Sequence, residues 1–322
     1  MTQENSMIII DRIYGSYKIT SPVLLELIQS PSLQRLKDIS QMGPPDPYYH
    51  IPNYSRYEHS VGVMLMLNHF QATEAEQVAG LLHDVSHTAF SHLIDWVVGS
   101  GHVENFQDNQ HESFIKNTEI PAILEKYHYS VDEIVNYKHY PLLEKEIPSL
   151  CADRIDYSLR EFPLQSARDC FKHLEVFQNQ IVFNNEKSAY CFGSEFLNRQ
   201  QNHWGGYEAV TRYTLFGQVL KIALDLHIIT MQSFQGTEKP IIEKLEQSTD
   251  EKIKTILSIL KNKNLSLLKK MTKVTHKKFR YVDPEVHSGN KILLLSEIND
   301  DFMQEVELAR KVNKSGVRSG TI

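Results

Sequence analysis

The chain of 322 residues carries 34 lysines and arginines against 40 aspartates and glutamates, a formal charge of -6 at pH 7. That acidic balance excludes wholesale coating of nucleic acid, which draws on a large excess of basic side chains. Three cysteines, Cys151, Cys170 and Cys191, lack paired-ligand spacing, which excludes a disulfide framework and suits core positions in a reducing, cytoplasmic setting.

The length fits two domains or one large helical domain with a sizeable core. Residues 7–10 suit a short strand before a loop; the run is too short for a secretory signal and is followed at once by Asp11 and Arg12. No stretch approaches the ~18 apolar residues of a membrane span, so a soluble protein is expected. Ser21-Pro22 and Ser30-Pro31 each set a capping residue before a proline suited to the first helical position, which predicts two short helices. Gly43-Pro44-Pro45-Asp46-Pro47 then breaks regular structure into a stiff loop.

Ser55 with Glu58 is a capping-box pattern, so a helix starts at Arg56; its interior, 61–67, is apolar almost all round, the mark of a buried helix. Arg56 and His59 share a face at its N-terminal end. Thr73 with Glu76 opens a second helix whose stripe is Ala75, Val78, Ala79 and Leu82, and His83 follows at the edge of that stripe. The stretch 99–109 reads as a loop, 111–115 as helical, and Ser130 with Glu133 as another capping start. After Pro148 a helix points Ala152, Ile155 and Leu159 one way and Asp153, Tyr157 and Arg160 the other.

Segments 181–183 and 190–192, on either side of Asn184-Asn185, predict a small hairpin within 176–192. Helix returns from 195 to about 235, broken near Gly205-Gly206. Two more helices are expected over 251–271, strands at 279–282 and 292–295, and a last helix at 301–311. The run 261–280 holds eight lysines and arginines and no acid. It reads first as a solvated face, while a nucleotide, a nucleic acid or an acidic neighbour would also fit it.

Fifteen histidines are many for this length and invite metal chemistry. A catalytic divalent metal needs ligands that leave positions open for water and substrate. Imidazole with carboxylate suits Mn, Fe, Zn or related ions without choosing among them. Successive helical side chains diverge by ~100°, so His83 and Asp84 can meet on one ion only near a helix end, and Val85-Ser86-His87 permits such a break. His50 and His203 lack matching spacing and read as structural or surface groups, and His92 reads as a histidine bonded to backbone, outside the site.

The order His59, His83-Asp84, Asp153 resembles the signature of the HD-domain metal-dependent phosphohydrolases. QRLKDISQMG at 34–43, SRYEHSVGV at 55–63, AGLLHDVSHTAFSH at 79–92, QHES at 110–113 and DRIDY at 153–157 further resemble the deoxynucleoside triphosphate triphosphohydrolase branch. The resemblance implies a mainly α fold: an HD-type helical bundle over 1–250 with its small β-hairpin, and a mixed α/β C-terminal extension over 251–322. It implies His59, His83, Asp84 and Asp153 as ligands of a divalent metal (Mn, Fe, Mg, Zn or Ni), and Arg56 as a phosphate contact. His87 and His111 match histidines beside the phosphate, one of which protonates the leaving oxygen, and Asp95 matches an acid that orients such a histidine. Gln41, Arg154, Tyr157 and Glu161 fall where the branch contacts sugar or phosphate.

Arg154 and Glu161 stand where that branch has lysine and aspartate, Pro44, Pro45 and Pro47 where it is glycine-rich, and 207–213 keeps only part of its nucleotide pattern. The implied activity is metal-dependent hydrolysis of a nucleotide, with triphosphate release from a deoxynucleoside triphosphate as its narrower form. A phosphomonoesterase for a small phosphate ester and a non-catalytic nucleotide sensor are the alternatives. Relatives in the branch assemble into homo-oligomers, which the resemblance extends to this chain, and no membrane partner is implied.

Overall fold

The computed structural model describes residues 6–99, 101, 105–272, 274–276 and 278–322, with the backbone alone of Lys138. His102, and Lys273 and Lys277 of the basic run, lie outside the described residues. At the N-terminus, β1 (Met7–Asp11) pairs antiparallel with β2 (Gly15–Ile19). The Asp11 carboxylate closes the turn by accepting from the backbone N–H groups of Ile13 and Tyr14. The loop expected after residue 10 is thus half of a hairpin, because an aspartate-built turn leaves no trace in the apolar pattern. Ser21 and Ser30 cap α1 (Pro22–Gln29) and α2 (Pro31–Arg35) through their hydroxyls, with proline in each first turn as predicted.

The loop after α2 closes on itself through a bridge between Ser40 and Ser55. Ser55 then caps α3 (Arg56–His69), in which every residue from His59 to Leu67 is buried. Thr73 caps α4 (Glu74–Leu82), which packs along α3. A run of turns leads through residues 83–92 into α5 (Leu93–Val98), and α6 (Phe106–Lys116) begins earlier than the expected 111. After α7 (Ile120–Lys126) and α8 (Val131–Val135), α9 (Ala152–Glu161) crosses α3. Gly62 permits that crossing, because a Cβ there would collide with Arg160 and Asp156.

Beyond α10 (Leu164–Lys172) the hairpin lies earlier than the sequence suggests. β3 (Leu174–Phe177) and β4 (Gln180–Phe183) pair around Gln178 and Asn179, both left-handed at φ 48° and 61°. Residues 190–192, expected as the second strand, belong to α11 (Glu186–Arg199), which Asn185 caps by accepting from the Ser188 N–H. An asparagine pair serves a turn or a helix cap equally well, and the buried face of Ala189, Phe192 and Phe196 decides for the helix.

A π-type turn over Gln200–Trp204 joins α11 to α12 (Tyr207–Asp225), with the break at Gly205-Gly206 as predicted. α13 (Glu238–Glu246) and α14 (Glu251–Leu260) follow. Of the two helices expected over 251–271 only α14 forms, and β5 (Lys269–Lys270) stands in place of the second. The strand expected at 279–282 does not form either: Phe279 and Tyr281 stack on each other with the Arg310 guanidinium over both rings. β6 (Glu285–Ser288) instead pairs with β7 (Lys291–Leu294), and α15 (Leu295–Ile298), α16 (Asp300–Ser315) and β8 (Gly320–Thr321), paired back to β5, complete the chain.

β6 lies parallel to β4, so the late strands extend the hairpin into a sheet of order β3-β4-β6-β7. One apolar core runs from α1 through α3, α4, α9 and α11 to α16, and a second gathers α5, α12, α13 and α14. The fold is mainly α with small sheets, as expected. Among the described residues no helix is long and apolar enough to cross a membrane.

Candidate metal centre and active site

Three helix ends bring the candidate ligands together. His59 stands in the first turn of α3, His83 is the C-cap of α4 with Asp84 in the turn beyond, and Asp153 opens α9. Because Asp84 has left the helix, it and His83 can face one point. His59 Nε2 lies 3.2 Å from His83 Nε2, 2.9 Å from Asp153 Oδ1 and 3.6 Å from Asp84 Oδ2. His83 Nε2 lies 3.5 Å from Asp153 Oδ1 and 3.7 Å from Asp84 Oδ1. Ligand atoms bound at about 2.0–2.2 Å to one cation sit roughly 3 to 3.6 Å apart, so this spacing fits a metal ion.

The reverse side of each imidazole is also occupied. His59 Nδ1 is 2.7 Å from Asp156 Oδ2, and His83 Nδ1 donates to the Gly80 carbonyl at 2.7 Å. Both Nε2 atoms are therefore directed into the cluster, the arrangement by which neighbouring groups fix a ligand's tautomer. Asp156 is itself held by Tyr14 Oη and by the Arg160 guanidinium, at 2.6 and 2.7 Å.

The electrostatics ask for positive charge. Burial pushes Asp84 up, but Arg56, His83 and His87 outweigh it and hold its carboxyl well below the usual range. Burial likewise acts against Asp153, and the hydrogen bonds and charges of His59 and His83 bring it down. Burial opposes a proton on His83, yet Asp84 and Asp153 raise it to about 9, and Asp153 and Asp156 raise His59 in the same way. Without a cation the imidazoles take up protons in its place, so metal binding should release protons.

Arg56 donates to Asp84 Oδ2 at 2.6 Å, to Ser91 Oγ at 2.9 Å and to the Gln41 carbonyl at 3.4 Å. His87 Nε2 lies 3.2 Å from Asp84 Oδ1; burial and then Arg56 keep this ring well below its usual pKa. His111 is lowered to about 4 by burial and then by His83. Its Nδ1 is 2.9 Å from Ser86 Oγ, which also accepts from Gln107 Nε2 at 2.9 Å. Arg56, His83, Asp84, His87, Gln107, His111 and Asp153 line one cavity of about 1300 Å³, and Gln41, Arg154, Tyr157 and Glu161 line it too.

The family model for the HD domain matches residues 56–161. The uncharacterized protein YdhJ of Bacillus subtilis is 33% identical over 321 residues, 97% of this chain and 98% of its own. The metal-dependent phosphohydrolase cns2 of Cordyceps militaris is 31% identical over 232 residues, 68% of this chain and 67% of its own. The chain is an HD-domain metal-dependent phosphohydrolase. A deoxynucleoside triphosphate triphosphohydrolase SAMHD1 homolog of Dictyostelium discoideum is similar at 24% identity over 90% of this chain and 63% of its own. A hypothetical protein of Aquifex aeolicus shares the fold at a TM-score of 0.67 and 19% identity, with 96% of this chain and all of that one covered.

Not every candidate residue of this HD protein stands where the motif alone would put it. Asp95 faces His92, Oδ2 to Nδ1 at 3.6 Å, and accepts from the Phe106 N–H; the His92 ring in turn lies 4.9 Å from that of His87. Arg154 donates to the Ser149 and Lys145 carbonyls and to Glu144 Oε1, holding the 144–149 strap of the cavity wall. Glu161 has both oxygens engaged, Oε2 by His203 Nδ1 at 2.6 Å and Oε1 by Trp204 Nε1 at 2.8 Å. His203 in turn meets Tyr49 Oη at 2.8 Å. Sequence reasoning missed Asp156, Ser86, Gln107, His203 and Trp204; only Asp156, inside DRIDY and three residues from Asp153, carried a signal that could have found it. His203, read as a structural or surface group, and His92, read as bonded to backbone, both line the cavity.

Proposed function

We propose that the protein hydrolyses a phosphate ester of a nucleotide, with His59, His83, Asp84 and Asp153 as the metal ligands. The observation that carries this reading is the cavity: it joins the His/Asp cluster to Lys116, Lys145, Lys278 and an aromatic wall of Tyr157, Phe196 and Trp204. Cations beside the cluster suit a polyanion, and flat aromatic groups suit a base. A divalent cation held at the cluster supplies a Lewis acid for phosphoryl oxygens and acidifies water.

The side chains then divide the work. Arg56, fixed on Asp84 and Ser91, faces the charge of the transferred group. His87 spends its Nε2–H on Asp84 and so orients a ligand. Ser86 accepts from Gln107 and turns its own proton to His111 Nδ1, which leaves His111 Nε2–H as the donor toward the leaving oxygen. Lowered to about 4, His111 is neutral near pH 7 and so steadies the leaving oxygen by a hydrogen bond rather than by giving up its proton, which then comes from water.

The finer reading, triphosphate release from a deoxynucleoside triphosphate, is supported by the likeness to the Dictyostelium homolog. A phosphomonoesterase is favoured instead by the engagement of Glu161 and Arg154, which leaves neither free for the sugar and phosphate contacts of that branch. Product analysis separates the two. Metal-loaded protein is incubated with deoxynucleoside triphosphates, nucleoside monophosphates and an aryl phosphate; triphosphate release supports the finer reading and free phosphate the second. Saturable binding without turnover, under every metal tried, overturns both in favour of a nucleotide sensor. Assembly into a homo-oligomer belongs to the same proposal, and its check is the mass in solution.

A further inference from the structure

Glu238, at the start of α13, is 7% exposed and lies far in sequence from the metal ligands. Its carboxylate accepts from the Ser40 N–H at 2.6 Å, the Ser40 hydroxyl at 2.7 Å and the Phe90 N–H at 3.3 Å. The Ser40 carbonyl accepts from Ser91 Oγ at 2.6 Å, and that oxygen accepts from Arg56 Nε at 2.9 Å. An unbroken chain of hydrogen bonds thus runs from a helix of the second core to the guanidinium beside Asp84.

The backbone at the middle of this chain is strained. Phe90 and Ser91 are consecutive non-glycine residues in the left-handed region, at φ 66° and 50°. Such conformations persist only where the surroundings over-determine them. Glu238 does so from one side, by fixing the Phe90 N–H and, through Ser40, the Ser91 hydroxyl.

We propose that Glu238 is a positioning residue for Arg56, acting through Ser40 and Ser91 to hold the guanidinium toward the substrate phosphate. This rests on the reading of Arg56 as a phosphate contact. Glu238 touches no ligand itself, so its loss should weaken anion binding and turnover while leaving the metal in place.

The test uses the full, metal-loaded chain with inorganic tripolyphosphate as probe, read by calorimetry beside elemental analysis. Glu238→Gln and Ser91→Ala should each weaken tripolyphosphate binding by about tenfold at unchanged metal content, and the double variant should be no weaker than the worse single by more than about twofold. Wild-type affinity in either single variant overturns the proposal, as do effects that multiply. If Glu238→Gln fails to fold, the cycle of Glu238→Asp with Ser91→Ala answers the same question with the same expectation, because the shorter acid draws back from the Ser40 and Phe90 N–H groups. A wild type that binds tripolyphosphate but hydrolyses no ester defeats the proposed function, and the relay is still read from binding. Tripolyphosphate binding unchanged in Arg56→Ala, or absent in the wild type, overturns the relay.

Discussion

The two ends of the cavity are built on different plans. At the metal end both imidazoles are gripped from behind, by Asp156 and the Gly80 carbonyl, and converge with Asp84, while Asp153 lies 2.9 Å from one ring and 3.5 Å from the other. At the other, Tyr157, whose ring lies 6.4 Å from that of His59, meets Phe196 and Trp204 ring to ring, and Glu161 is bonded to its own neighbours. The first end is committed to a cation and a phosphate whatever else the ligand carries. The second end can only select what accompanies the phosphate.

The largest effect should come from the metal end. Asp84→Ala removes a proposed ligand and strips Arg56 of the acid 2.6 Å from it, so metal content should fall and turnover should drop for every substrate alike. A metal supplies several kcal/mol of charge stabilisation, which corresponds to roughly three decades in rate. Elemental analysis beside a turnover assay checks this, and retained activity would sink the ligand assignment.

Asp156→Asn should follow at about 10- to 100-fold in metal affinity or activity, the usual effect of releasing a ligand histidine. It also takes one of three acids from the buried Arg160, which keeps Asp11 and Glu58, so the stability loss should stay below the about 3–5 kcal/mol of a buried charge left unpaired. Thermal unfolding followed together with metal titration separates the two losses. Glu161→Gln should do something different in kind. It frees His203 and Trp204 to shift, and should change kcat/KM by about tenfold for some substrates and hardly for others, with metal content constant. Equal loss on every substrate would erase the distinction between the two ends.

The smallest effect concerns pH. Burial, then His203, Arg212 and Lys263, lower His50 to about 3 from its ordinary 6.5. Between those values the unfolded chain binds a proton that the folded chain refuses, so this contribution is full above about 6.5 and is lost as pH falls toward 3. His50→Gln should flatten the acid limb of a Tm-against-pH curve; an unchanged slope would contradict the burial argument.

The same contrast governs what could be read from the sequence. Capping residues at Ser55 and Thr73 set both helix starts, and with them the placement of His59 at one helix end and His83 at another, so the metal cluster was legible as a motif with a geometry attached. Asp156 was legible only as a neighbour of Asp153 in DRIDY; its bond to His59 was not, because it spans 97 positions and forms where Gly62 lets two helices close up. His203 and Trp204 sit on a π-type turn, which has no periodicity to detect. The misplaced hairpin has a related cause, since Asn185 caps a helix with the same side chain that would serve a turn.

Arg160 carries one more implication. It gathers Asp11, Glu58 and Asp156 around a single guanidinium, while Tyr14 donates to Asp156 as well. The opening β-ribbon is consequently a brace for His59, the proposed metal ligand, rather than trimming. A shortened version beginning at α1 would remove two of the grips on Asp156 and Arg160 together, and so would handicap metal capture from outside the matched domain.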